Sequence, residues 1–121
     1  MFKLVYCLRR KPELSVEEFQ RYWRYVHGPL VAERAEVLGI QRYVQVHTGM
    51  PEVNAALRAR NGGSPAAQDG VAEIWVESLD GLACDDPAVQ QAAADLLADE
   101  GNFIDLVNPP IWLAEEHVVI A

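Results

Sequence analysis

The chain has 121 residues, half of them apolar and 23% charged, with 18 Asp+Glu against 10 Lys+Arg for a net charge of -8. A chain of this length makes one domain, here 1–121, and buries enough surface to fold without disulfides or metal. The acidic balance argues against nucleic acid and anionic membrane surfaces, no run approaches the roughly 20 apolar residues of a membrane span, and nothing at the N-terminus reads as a signal peptide. A cytoplasmic protein is expected, with Cys7 and Cys84 as reduced, buried thiols.

Residues 2–9 are rich in β-branched, aromatic and aliphatic side chains and read as a first strand. Ser15 and Glu18 form a capping box, with Leu14 and Phe19 placed as a hydrophobic staple. Phe19, Tyr22, Trp23 and Val26 then make an apolar helical stripe that Gly28-Pro29 is expected to end. A second short helix carries Leu30, Val31, Arg34 and Leu38 and closes at Gly39. From Ile40 to Thr48 the pattern alternates, with Gln41, Tyr43, Gln45 and His47 on one face and Arg42, Val44 and Val46 on the other. Residues 49–69 read as a long loop, functional or mobile, and 70–77 as the third strand. Asp86-Pro87 opens a helix carrying Val89, Ala93, Leu96 and Leu97. Residues 102–110 look irregular, and 111–120 read as the last strand.

The order β-α-β-β-α-β is that of an α+β, ferredoxin-like domain with a four-stranded antiparallel sheet. Two helices cover one face of such a sheet, so the other face meets water, a ligand or another chain. The aliphatic sets, Val44 and Val46 with Ala72, Ile74 and Val76, suit packing against helices. The mixed sets, Tyr43, Gln45 and His47 with Glu73 and Trp75, suit a pocket wall. Pairing two such sheets across a twofold axis would close that pocket, so a homodimer is expected.

His27 ends an aromatic helix where the chain turns, beside the last carbonyls, and the helix dipole there favours its protonated form. It is the candidate general acid or base; Tyr43 is the candidate to hold a substrate oxygen, and Gln45 and His47 share its face. Glu73 is a candidate pocket carboxylate and Trp75 a ligand platform. The sequence has no dinucleotide or phosphate-loop fingerprint, no serine-nucleophile elbow and no CxxC, and its histidines lack metal-ligand spacing, so no cofactor and no metal are expected.

These residues carry a resemblance. Lys3-Leu-Val-Tyr-Cys-Leu-Arg-Arg10, Phe19-Gln-Arg-Tyr-Trp-Arg-Tyr-Val-His27-Gly-Pro-Leu30 and Gly39-Ile-Gln-Arg-Tyr-Val-Gln-Val-His47 together resemble the EthD family. Asp69-Gly-Val-Ala-Glu-Ile-Trp75 and Trp112-Leu-Ala-Glu-Glu-His117 are similar to its later segments, leaving 49–69 outside the likeness. The resemblance implies a dimeric α+β barrel. It also implies relatives of two kinds: accessory proteins of monooxygenase systems, labelled oxidoreductases by association, and cofactor-free isomerases and dehydratases that move protons. In the isomerases a histidine at the end of the first helix and a tyrosine on the second strand are implicated, matching His27 and Tyr43 here. Their further histidine in the loop after the second strand has no counterpart.

The expectation is therefore a cofactor-independent proton-transfer enzyme, isomerase or dehydratase in type, acting on a small apolar molecule with a carbonyl or phenol. The alternatives are an oxidoreductase or accessory protein of a monooxygenase system, and a non-catalytic ligand-binding dimer.

Overall fold

A computed structural model describes residues 1–80 and 84–121. Strand β1, Phe2–Leu8, leads to the capping box, in which Ser15 Oγ accepts from the Glu18 amide and Glu18 Oε1 accepts from the Ser15 amide, both at 3.1 Å. Helix α1, Val16–Tyr22, passes without a break into a π-helical turn, Trp23–His27, and then into α2, Gly28–Leu38. Gly28-Pro29 thus does not end the helix. Gly28 donates five residues back to the Trp23 carbonyl, and Pro29 falls in the first turn of α2, where its missing N–H costs little. Gly39 then closes α2 at φ 70°, a left-handed conformation that favours glycine.

The π turn changes which side chains face inward. In an unbroken α-helix Val26 falls about 20° from the direction of Phe19 and His27 about 80°. The looser winding buries His27, 6% exposed, and leaves Val26 43% exposed. Phe19 and Trp23 are fully buried with Leu8, Ala72, Phe103 and Ile104, and Leu14 packs against them as the staple requires.

Strand β2 spans Ile40–His47, β3 Gly70–Val76 and β4 Ile111–Glu115. They form one antiparallel sheet in the order β2-β3-β1-β4, with helix α4, Pro87–Glu100, joining β3 to β4. This is the expected α+β, ferredoxin-like arrangement. Asp86 caps α4 through its carboxylate and the Ala88 amide, and Pro87 lies in the first turn as anticipated.

Other expectations are corrected. Residues 49–69 are not all loop, because Pro51–Arg60 form a helix, α3. Ala, Leu and Arg are strong helix formers, and Arg58 and Arg60 suit the negative end of the helix, but α3 buries no side chain and so left no amphipathic pattern to read. Strand β4 stops at Glu115, where its partner β1 runs out at Phe2, rather than at 120. Cys7 and Cys84 are free as expected, but half-buried rather than buried.

The register decides the two faces. Tyr43 lies opposite Ile74, Gln45 opposite Ala72 and His47 opposite Gly70. Directly paired residues share a face, so Tyr43, Gln45 and His47 lie with Ile74, Ala72 and Gly70 on the side covered by helices. Val44 and Val46, expected against the helices, lie on the open side with Glu73 and Val71. A helix side chain explains the reversal: a Cβ at Gly70 would come within 2.4 Å of Trp23, so the indole fills the space beside β2. No helix among the described residues is long and apolar enough to cross a membrane.

Candidate active site

The polar face of β2 is organised by Trp23. An indole N–H can only donate, so Trp23 Nε1 donates to the Tyr43 hydroxyl oxygen at 3.2 Å. Gln45 Nε2 donates to the same oxygen at 3.1 Å and to the Trp23 carbonyl at 2.8 Å. With its amide nitrogen so engaged, Gln45 Oε1 is the acceptor, and His47 Nε2 donates to it at 2.8 Å. His47 stacks on the indole, ring centroids 4.4 Å apart. Gly28 permits the close approach, since a Cβ there would lie 3.2 Å from Gln45 Nε2. Both acceptor positions of the Tyr43 oxygen are therefore occupied. Its own O–H has no acceptor among the described residues.

His27 is held by a different element. Its Nδ1 lies 2.8 Å from Asp99 Oδ2 near the end of α4, and its ring packs on Phe103 at 5.0 Å. Asp99 Oδ1 accepts from the Tyr22 hydroxyl at 2.5 Å and from Asn102 Nδ2 at 3.2 Å. Three donors on one carboxylate favour its charged form, which fixes the proton of His27 on Nδ1. Nε2 is then the basic nitrogen, and it has no hydrogen-bond partner among the described residues.

Electrostatics agree with that assignment. Burial lowers the pKa of His27 below 6.5, and Asp99 only partly opposes it, so the imidazole is neutral near pH 7. The helix runs on past His27, and burial works against the protonated form that a helix end would favour. Burial raises the Asp99 carboxyl, but the bonds from Tyr22, His27 and Asn102 outweigh it and hold the group below 3.8. Burial raises Tyr43 above 10, keeping the phenol protonated. Burial also lowers His47, helped by Arg24.

His27 and Tyr43 line the same cavity of about 70 Å³, walled by apolar side chains such as Leu8, Val31 and Ile104, with Tyr6 and Glu100 as the other polar groups. It adjoins a larger apolar chamber of about 210 Å³ at Ile40, Ile74, Leu96 and Glu100, the residues that line both. A wider, open groove of about 400 Å³ on the other side of Tyr43 runs between α2 and β2 past Arg24 and Arg42. His27 lines the inner cavity but not that groove. No group of three or more His, Cys, Asp or Glu suited to a metal ion occurs among the described residues.

The structure thus gathers His27, Tyr43, Gln45 and His47 around Trp23, the first two on the cavity. Glu73 and Trp75 are not with them. They lie on the opposite face, where Lys3 Nζ sits 3.1 Å from Glu73 and 3.0 Å from Glu116, and both Lys3 and Arg42 stand over the Trp75 ring at 4.8 Å. A single pocket wall of Tyr43, Gln45, His47, Glu73 and Trp75 is therefore corrected, since β3 turns its odd-numbered side chains away from the helices. Sequence reasoning missed Asp99 and Glu100. The inward stripe of α4, with Val89 and Ala92 buried and Leu96 on the cavity, continues at helical spacing into these two carboxylates. Tyr6 was signalled likewise by alternation with Leu4 and Leu8.

The fold has known counterparts. An EthD-like protein from Ralstonia eutropha JMP134 superposes with a TM-score of 0.63 at 16% identity, covering 99% of this chain and 95% of that one. An ethyl tert-butyl ether D (EthD) family protein from Bacillus halodurans C-125 gives 0.56 at 15% identity, with 97% and 100% covered. A protein of unknown function from Bacteroides fragilis NCTC 9343, described as dimeric and ferredoxin-like in fold, gives 0.57 at 11%, with 95% of each chain covered. At such identities these likenesses speak for the fold. No curated protein matches the chain. The family model of the EthD domain matches residues 11–107, which takes in α1 to α4 and every residue lining the cavity and its neighbouring chamber except Leu4, Tyr6, Leu8 and Leu113. On that match the chain belongs to the EthD domain family.

Proposed function

We propose that the chain is a proton-transfer enzyme, isomerase or dehydratase in type, acting on a small, uncharged, largely apolar molecule with a carbonyl or phenol group. One observation carries this reading: the Asp99-held imidazole of His27 and the free O–H of Tyr43 line one cavity. His27 Nε2 takes a proton from carbon beside the carbonyl. The Tyr43 O–H donates to the carbonyl oxygen as charge develops there, and the donors from Trp23 and Gln45 polarise that hydroxyl. Positioned proton transfer of this kind is worth about 10²–10⁴-fold, enough for an already activated C–H bond. Neither chamber is lined by Lys or Arg, which disfavours carboxylate or phosphate substrates.

A homodimer belongs to the same reading. The open sheet face presents Val46 and Trp112, both about half exposed, and a structural relative is described as dimeric. Sedimentation of the purified chain as a monomer at micromolar concentration would argue against it.

The test of the chemistry uses β-tetralone, an uncharged enolisable ketone, in D₂O. The chain is expected to speed exchange of its α protons, followed by NMR, and His27→Gln to lose at least about a hundredfold of that rate. Binding of β-tetralone without exchange would instead mark a ligand-binding protein. Exchange at an unchanged rate in the variant would remove His27 from the chemistry.

A further inference from the structure

With His27 as the base, we propose that Glu100 is a second catalytic group, the acid that returns a proton to substrate at a different carbon, so that the site relocates double bonds in β,γ-unsaturated ketones. Glu100 ends α4 and lines both the inner cavity and the larger chamber, where the two share a wall. Its neighbours there are Ile40, Ile74 and Leu96, and among the described residues it makes no ion pair with Lys or Arg. A carboxyl so placed is costly to ionise. Burial and the nearby Asp99 charge raise its pKa above 4.5, against the opposing effect of the Tyr6 hydroxyl beside it. The group therefore holds a proton further toward neutrality than an exposed glutamate.

The neighbouring position, Asp99, holds His27. One turn of α4 thus sets a base and an acid at the same cavity, with the apolar chamber beyond Glu100 to take the hydrocarbon part of the ligand. In the reaction, His27 Nε2 takes the α proton, and the electron pair moves onto the carbonyl oxygen, forming a dienolate held by Tyr43. The pair returns as the γ carbon takes the proton of the Glu100 carboxyl, leaving the conjugated ketone. His27, now imidazolium, passes its proton to the Glu100 carboxylate through solvent once product leaves. Nothing is oxidised or reduced, and the product is an isomer of the substrate.

The probe is the β,γ-unsaturated isomer of cyclohexenone, incubated with the intact chain in D₂O. NMR reads two quantities: α deuterium in recovered substrate, which reports the base, and conjugated product with γ deuterium, which reports the acid. The wild-type chain is expected to give both. In Glu100→Gln, which keeps the shape and a hydrogen bond to Tyr6, the ratio of γ-protonated product to α exchange is expected to fall about a hundredfold. Circular dichroism of that variant establishes that it is folded. An unchanged ratio in folded Glu100→Gln would overturn the role of Glu100 while leaving the base in place. Absence of α exchange in the wild-type chain would overturn the proton-transfer reading, and this assignment with it.

Discussion

Replacing Asp99 by Asn tests the site at its least visible member. The carboxylate accepts three hydrogen bonds, one on Oδ2 from His27 and two on Oδ1 from Tyr22 and Asn102. An asparagine has one acceptor oxygen. Two donors on the Oδ1 side hold that oxygen there, so the amide NH₂ turns toward His27 and donates to Nδ1. The imidazole proton then moves to Nε2, and the base is lost. Charge-assisted hydrogen bonds are worth about 1.5–3 kcal/mol against about 0.5–1.5 for neutral ones. Asp99 is only 11% exposed, so solvent screens little of this, and converting the set costs about 2 kcal/mol in a denaturant melt with unchanged slope. The α-exchange rate with β-tetralone is expected to fall at least about a hundredfold. Nitrogen-15 NMR reads the tautomer directly: protonated Nδ1 in the wild-type chain, protonated Nε2 in the variant. Protonated Nδ1 together with a wild-type exchange rate in Asp99→Asn would refute this account of the pair.

The pH dependence has a definite sign. His27 is active when neutral and its pKa lies below 6.5, so the exchange rate should rise through an apparent value below 6.5 and then level; a limb centred above 6.5 contradicts this. Folding stability should fall as pH drops below 6.5, because the unfolded chain takes up that proton first, and His27→Gln should flatten that slope in denaturant melts. Tyr43→Phe removes the acceptor of a buried indole N–H, for a loss of about 1–3 kcal/mol in thermal or denaturant unfolding and about a hundredfold in exchange; unchanged exchange would mean the hydroxyl does not hold substrate. Gly70→Ala places a methyl 2.4 Å from Trp23 and 2.9 Å from the Val46 carbonyl. The Val46 carbonyl is backbone and the indole is buried, so one of them must be displaced and at least about 2–3 kcal/mol of stability should go, with altered near-ultraviolet dichroism from Trp23; an unchanged midpoint would show the indole is not wedged there.

What the sequence made legible was local chemistry. The capping box at Ser15, the left-handed stop at Gly39 and the Asp86-Pro87 start each depend on a few adjacent residues, and each forms. The sheet was legible because period-two alternation and helical spacing are properties of single segments. The facing of β2 was not, since Val44 and Val46 look like the set that meets the helices and Tyr43, Gln45 and His47 like a pocket wall on the other face, until Trp23 supplies their partners. The π turn was hidden for a similar reason: Gly28-Pro29 reads as a stop when only neighbours in sequence are weighed. His27 and Tyr43 stood out by residue type and position. Asp99, which gives His27 its orientation, lies 72 residues away, and nothing in either segment alone announces the pairing.

The π turn also bears on how this chain could change length. The turn holds one residue more than an α-helix needs to reach the same direction, so every later side chain takes the heading its predecessor would otherwise have had. Deleting one of Arg24, Tyr25 or Val26 would let the turn close as ordinary α-helix, with Val31 still in the core and Gly28 still opposite Gln45. Deleting a residue from α1 instead, with the turn kept, would swing α2 by about 100° and carry the imidazole away from α4. The surplus residue is thus a one-residue slack, and a helix of this chain should shorten there before it shortens anywhere else.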